Sequence, residues 1–213
     1  MRRDTPDRFF IRRRLLAVLM ASAAAPAIAA SRPVITILGD SITAGLGLPA
    51  RQALPDQLAA ALARRGVTAT VRGAGVSGDT AADGLARLDF SVQGDTAVCV
   101  VALGGNDLLQ GLDPKATRAS LEAIVRRLKA RRIGVVLAGL DAPRAVGAGY
   151  VRAFEAIFPD VARAEHVPLY PNLLAGVGPA LRQGDGLHPN AAGVKIIADG
   201  IAPLVAKVLE ARR

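Results

Sequence analysis

Cysteine is nearly absent from this sequence. Cys99 is the only one among 213 residues, so no intramolecular disulfide can staple the fold. It lies in the apolar run Ala97-Val98-Cys99-Val100-Val101, where a buried, inert thiol is expected and not a nucleophile. No cysteine accompanies the N-terminal segment either, which disfavours a lipid anchor. Tryptophan is missing and aromatic residues make up only 3% of the chain, so alanine, valine and leucine must fill the core. At 51% hydrophobic residues they are ample for one domain. Histidine occurs twice, at His166 and His188, which is few for an imidazole-based metal centre, and no cofactor or metal is expected.

The formal charge of +9 is unevenly placed. Residues 1–30 hold six arginines against two aspartates, a surplus of +4, which leaves about +5 for residues 31–213. The densest basic cluster, Arg126, Arg127, Lys129, Arg131 and Arg132, falls near the end of a predicted helix, where cations complement the helix dipole. No aromatic residues interleave with it, so it does not read as a nucleic-acid surface. The six N-terminal arginines precede Leu15-Leu16-Ala17-Val18-Leu19-Met20 and then small residues through Ala27-Ile28-Ala29. Basic, apolar and Ala-x-Ala segments in that order describe an export signal cut after Ala29. Arg12-Arg13 also fits a loose twin-arginine pattern, so the Sec and Tat routes both stay open. The apolar run falls short of the ~20 residues of a membrane span and is broken by Pro26. Residues 1–30 are therefore set aside as a signal peptide. Residues 31–213 are expected to form one domain of a periplasmic or secreted protein, with no membrane span after cleavage.

Along that domain, apolar runs alternate with helical periodicity. Strands are expected at Val34–Leu38, Val67–Arg72, Thr96–Leu103, Ile133–Gly139 and Val167–Tyr170, and helices at Gln52–Arg65, Ala81–Leu88, Pro114–Ala130, Tyr150–Ala164 and Ala191–Leu209. Such alternation requires parallel crossovers and so a three-layer α/β/α sandwich with a central parallel sheet. In an open parallel sheet, the loops after neighbouring strands gather at one edge. The polar clusters of this chain occupy those loops: Ser41 after the first strand, Gly78 after the second, Asn106 after the third, and Asp185 with His188 beyond the fifth.

Each residue type has a chemical reason to be there. A serine hydroxyl attacks well only when an imidazole takes its proton, and the imidazole needs an acceptor on its other nitrogen. Asp185 and His188 are three apart around Gly186, which suits one tight turn. His166 ends a predicted helix, where a capping or surface role is the default. The N–H groups of Ser41 and Gly78 and the side-chain amide of Asn106 could stabilise an oxyanion. Each feature has a plainer reading: Asp40 or Ser41 as a helix cap, Asn106 as a turn former after Gly104-Gly105, and Asp-x-x-His as a structural turn.

Three other functions compete. Gly73-x-Gly75-x-x-Gly78 matches the dinucleotide fingerprint of a Rossmann oxidoreductase, but it follows the second strand, and Asp79 would face the pyrophosphate. Asp40, Asn106, Asp107, Asp185 and His188 are a possible hard ligand set for a metal-dependent phosphoesterase, without metal-like spacing. A non-catalytic binding module on the same fold is the third, since fold does not guarantee activity.

Taken together, Gly39-Asp40-Ser41, Ser77-Gly78-Asp79-Thr80, Gly104-Gly105-Asn106-Asp107 and Gly184-Asp185-Gly186-Leu187-His188-Pro189-Asn190 resemble, in order and spacing, the blocks of the SGNH or GDSL hydrolases. The likeness spans nearly all of residues 31–213 and is greatest for the small exported thioesterase, lysophospholipase and arylesterase branch. It implies Ser41 as nucleophile, His188 as base, Asp185 as orienting acid, and an oxyanion hole of Ser41, Gly78 and Asn106. It also implies a flavodoxin-like sheet and metal-free hydrolysis of acyl esters or thioesters, lysophospholipids included. Loops 108–113, 141–149 and 172–184 are expected to shape the acyl pocket, with Leu108, Leu109 and Leu112 offering apolar surface and Pro143 stiffening its loop.

Overall fold

In the computed structural model, which describes Met1 and residues 32–212, five strands alternate with helices. The expected export signal lies outside the described residues, and among those described no helix is long and apolar enough to cross a membrane. The strands are β1 (Val34–Gly39), β2 (Thr70–Gly75), β3 (Thr96–Ala102), β4 (Gly134–Ala138) and β5 (Leu169–Tyr170). They form one sheet in the order β2-β1-β3-β4-β5, with every pairing parallel. The helices are α1 (Ser41–Ala44), α2 (Leu54–Arg64), α3 (Ala81–Ala86), α4 (Leu88–Ser91), α5 (Gly105–Leu109), α6 (Pro114–Ala130), α7 (Ala148–Glu155), α8 (Ile157–Glu165) and α9 (Ala191–Glu210). α2 packs on α9, while α3, α6 and α8 pack together on the other side, which makes the three-layer α/β/α sandwich expected from the alternation.

With both faces covered, the central strands can be apolar at every position. Ile35, Ile37 and Leu38 of β1, Val98, Val100 and Val101 of β3, and Val136 and Leu137 of β4 are fully buried. The polar exceptions, Thr36 and Thr96, satisfy each other through a hydroxyl–hydroxyl hydrogen bond of 2.8 Å. Cys99 is buried in β3, and burial pushes its thiol up to about 12.

β2 departs from the sequence expectation by three residues, starting at Thr70 and running through Gly75. It is an edge strand and only partly buried, so it carries no apolar run to mark it. Its glycines answer to neighbours: a Cβ on Gly73 would stand 2.8 Å from Pro55 Cγ, and one on Gly75 2.3 Å from the Ala44 nitrogen. The single helix expected over Tyr150–Ala164 is two, α7 and α8, parted at Ala156. Pro159 explains the break, since it lacks the N–H that would bond to the Glu155 carbonyl and its ring crowds that carbonyl. The basic cluster of α6 does more than complement a dipole. Arg126 and Lys129 pair with the buried Glu165, and Arg127 and Arg131 pair with Asp89.

Candidate active site

The sheet order places a reversal of winding between β1 and β3, and in such sheets ligands bind outside the strand ends at that point. Ser41 follows β1 there. Asp40 caps α1 by accepting from the Ile42 N–H at 3.0 Å, so Ser41 becomes the first residue of a one-turn helix laid across the ends of β1 and β2. The fit is tight: a Cβ on Gly39 would stand 2.1 Å from Thr43 Oγ1 and 2.9 Å from the Ala102 carbonyl oxygen. Asp40 is itself buried, and although its N-cap bond and the nearby His188 favour the charged form, burial pushes its carboxyl up to about 6.

Gly78 follows β2 with φ of +91°, in open space, so backbone conformation and not crowding calls for glycine. Asn106 lies in α5, which starts directly after β3 where the sequence reading had only a loop. Its Nδ2 donates one hydrogen to the Asp79 carbonyl at 2.9 Å, leaving the second free for another acceptor. Next to it, Asp107 is 2% exposed and braces two helices, accepting from the Ala81 N–H at 2.8 Å and from Thr117 Oγ1 at 2.9 Å. Among the described residues, the Ser41 and Gly78 N–H groups have no protein acceptor.

His188 comes from the loop before α9. Gln183 N–H donates to the His188 carbonyl at 2.8 Å, Arg182 Nη1 to the Gly186 carbonyl at 3.0 Å, and Asn190 caps α9 through the Ala192 and Gly193 N–H groups. Gln183 Nε2 also donates to the Leu46 carbonyl at 2.8 Å, tying this loop to the segment after α1. Asp185 Oδ1 accepts from the N–H groups of Leu187 and His188, while its Oδ2 meets His188 Nδ1 at 2.6 Å. These bonds, that from His188 first, hold the Asp185 carboxyl down at about 2. An ionised Asp185 can only accept, so Nδ1 carries the proton and Nε2 is the acceptor for Ser41 Oγ, 2.8 Å away.

The structure thus brings Ser41, His188 and Asp185 into one hydrogen-bonded line. Asp40, Ser41, Gly78, Asn106 and His188 border one open cavity of about 420 Å³. Its walls include Leu108, Leu109, Val146, Leu173 and Leu187, and Pro143 and Arg182 also reach it. Leu112 does not line it; its carbonyl instead accepts from the Tyr150 hydroxyl at 2.9 Å. His166 stands apart as the left-handed C-cap of α8.

The competing motifs take other forms. Gly73 and Gly75 lie inside β2, paired with Ile37 and Gly39, so the turn that a dinucleotide fingerprint needs is not formed by them. Among the described residues, no group of three or more histidine, cysteine, aspartate or glutamate side chains is placed to hold a metal ion. Sequence reading missed Arg87, whose side chain donates to both the Gly39 carbonyl and Asp79 beside this site. An arginine inside a short helical stretch carries no signal that would mark it.

Fold and site residues together define an α/β protein of the SGNH-hydrolase kind. Residues 37–196 match the model of the GDSL-like lipase/acylhydrolase family. The chain is 34% identical to esterase TesA of Pseudomonas aeruginosa over 84% of its length and 91% of that protein's. It is 37% identical to thioesterase 1/protease 1/lysophospholipase L1 of Escherichia coli K12, over 82% of this chain and 84% of the other. Among solved structures, AlinE4, an SGNH-hydrolase family esterase, superposes with a TM-score of 0.70 at 40% identity, covering 84% of this chain and 97% of its own. The chain belongs to the GDSL-like lipase/acylhydrolase family and is a carboxylic ester or thioester hydrolase.

Proposed function

We propose that this protein is an exported serine hydrolase that cleaves acyl esters or thioesters through an acyl-enzyme on Ser41. The observation that carries the reading is the line Ser41 Oγ–His188 Nε2 at 2.8 Å and His188 Nδ1–Asp185 Oδ2 at 2.6 Å, open to an apolar-walled cavity. Ser41 Oγ attacks the acyl carbonyl as its proton passes to His188 Nε2, and the imidazolium is stabilised by Asp185. The carbonyl oxygen, now negative, is met by the N–H groups of Ser41 and Gly78 and the free hydrogen of Asn106 Nδ2. His188 returns the proton to the departing alcohol or thiol. Water, deprotonated by the same imidazole, then attacks the acyl-serine and releases the acid.

The leucine-rich walls favour an apolar acyl chain, and a lysophospholipid is one amphiphile of that description. The name of the Escherichia coli relative lists thioesterase and lysophospholipase activities, which supports both leaving groups. The basic, apolar and Ala-x-Ala order of residues 1–30 supports export to the periplasm or beyond, by Sec or Tat.

The test is hydrolysis of p-nitrophenyl esters from acetate to palmitate, with EDTA present, beside Ser41→Ala. The expected outcome is activity that survives EDTA and falls by at least ~10³-fold in Ser41→Ala. Full activity in Ser41→Ala, or no hydrolysis of any ester by folded wild type, would overturn the mechanism.

A further inference from the structure

Arg87 occupies the break between α3 and α4, and its guanidinium reaches back to the end of β1. Nη2 donates to the Gly39 carbonyl at 2.9 Å, Nε to Asp79 Oδ2 at 2.5 Å and Nη1 to Ser91 Oγ at 2.9 Å. The Gly39 carbonyl also accepts from the Val76 N–H at 3.1 Å, so both of its lone pairs are engaged. Asp79, held by Arg87 through its carboxylate, offers its own carbonyl to Asn106 Nδ2 at 2.9 Å. One planar cation therefore fastens the residue two before Ser41, the residue after Gly78 and, through the Asp79 carbonyl, Asn106. α3 comes close enough for this because Gly84 has no side chain; a Cβ there would stand 2.3 Å from Leu103 Cδ1. The Arg87 and Asp79 side chains are only 19% and 12% exposed, so solvent and salt weaken the pair little.

We propose that Arg87 is a positioning residue: it sets the spacing among the three oxyanion donors and touches no reacting atom itself. The proposal rests on the acyl-transfer reading above. Oxyanion stabilisation depends on donors held in place before charge develops, and three donors from three loops have no covalent reason to keep their distances. The rigid, forked guanidinium supplies that reason through three directed donors, of which a lysine ammonium, a single point of charge, can replace only the one facing Asp79.

A purely structural arginine would change stability and leave the chemistry of the folded enzyme alone. The experiment is a double-mutant cycle on the full chain: Arg87→Gln, Asn106→Ala and their combination, with Arg87→Lys and Ser41→Ala alongside. kcat and KM for p-nitrophenyl butyrate are measured at a temperature where circular dichroism finds every variant folded. Arg87→Gln is expected to lower kcat by about 10–100-fold with KM within about threefold, since a contribution made only in the transition state is lost. Arg87→Lys, which keeps the charge beside Asp79, recovers part of kcat and serves for the cycle where Arg87→Gln does not fold. The factor lost at position 87 is expected to be at least about threefold smaller in the Asn106→Ala background, because coupled residues are not additive. Equal factors in both backgrounds, or wild-type kcat in a folded Arg87 variant, would overturn the positioning role. Activity retained in Ser41→Ala would instead sink the acyl-enzyme reading, so the two failures are told apart.

Discussion

Ser41 and His188 meet across one 2.8 Å hydrogen bond, but they arrive from opposite kinds of structure. Ser41 and the groups around it are fixed by long-range order: β1 lies between β2 and β3, α1 presses on two strand ends, and Arg87 and Asn106 join loops far apart in sequence. His188 and Asp185 are made locally, within one turn whose carboxylate binds two N–H groups and the imidazole, and Asp185 is 47% exposed. Under the proposed mechanism the pre-set half lowers the cost of charge development, while the exposed, locally closed half keeps its acid ionised chiefly by hydrogen bonds. Water can therefore share the work of Asp185, but it cannot reproduce the geometry around Ser41.

That contrast can be broken or sharpened in order of effect. Asn106→Ala should lower kcat by about 10²–10³-fold with KM little changed, because it removes a donor from the pre-set half. Steady-state kinetics on a soluble ester measure this, and a loss confined to KM would count against the oxyanion role. Asp185→Ala should cost less than about 10²-fold in kcat, since its site is open and a water can accept from His188 Nδ1 in place of the carboxylate. A loss as large as that of Asn106→Ala would erase the distinction between the halves. Because Asp185 is held at about 2, its charge and the stability it brings are lost only as pH falls toward 2. An acid limb of activity at higher pH thus belongs to another group.

The remaining effect is on stability and not on rate. Asp40 is raised to about 6, so the favourable protonated form is complete below its unfolded value, and stability is lost as pH rises through 6. Asp40→Asn has no such loss. Its stability relative to wild type should increase between pH 4 and pH 7 by up to roughly 3 kcal/mol, from the size of the shift. Urea unfolding at the two pH values checks this, and a flat difference would show that burial does not control the group.

The same division governs how much was legible in the sequence. The local half was readable directly: Asp185, Gly186 and His188 form their turn within four residues. Apolar runs marked β1, β3 and β4 because both faces of the sheet are covered, and periodicity marked α6 and α9. β2 was misplaced because an edge strand needs no apolar run, and its glycines resemble a loop until α1 and Pro55 are seen against them. The break at Ala156 was missed although Pro159 was in plain view, because the apolar period continues across it. Arg87 could not have been found, since its importance lies in contacts 8 and 48 residues away.

The absence of side chains at Gly39 and Gly75 also bears on how such an enzyme can diversify. A single methyl at either would meet backbone at 2.9 Å or less, and backbone cannot swing aside as a side chain can. Loop 141–149, by contrast, is largely exposed and reaches the cavity through Asp141, Pro143 and Val146. Variation is therefore cheap on the rim and forbidden beneath the Ser41 hydroxyl, so new specificities can accumulate around the proposed nucleophile without rebuilding it.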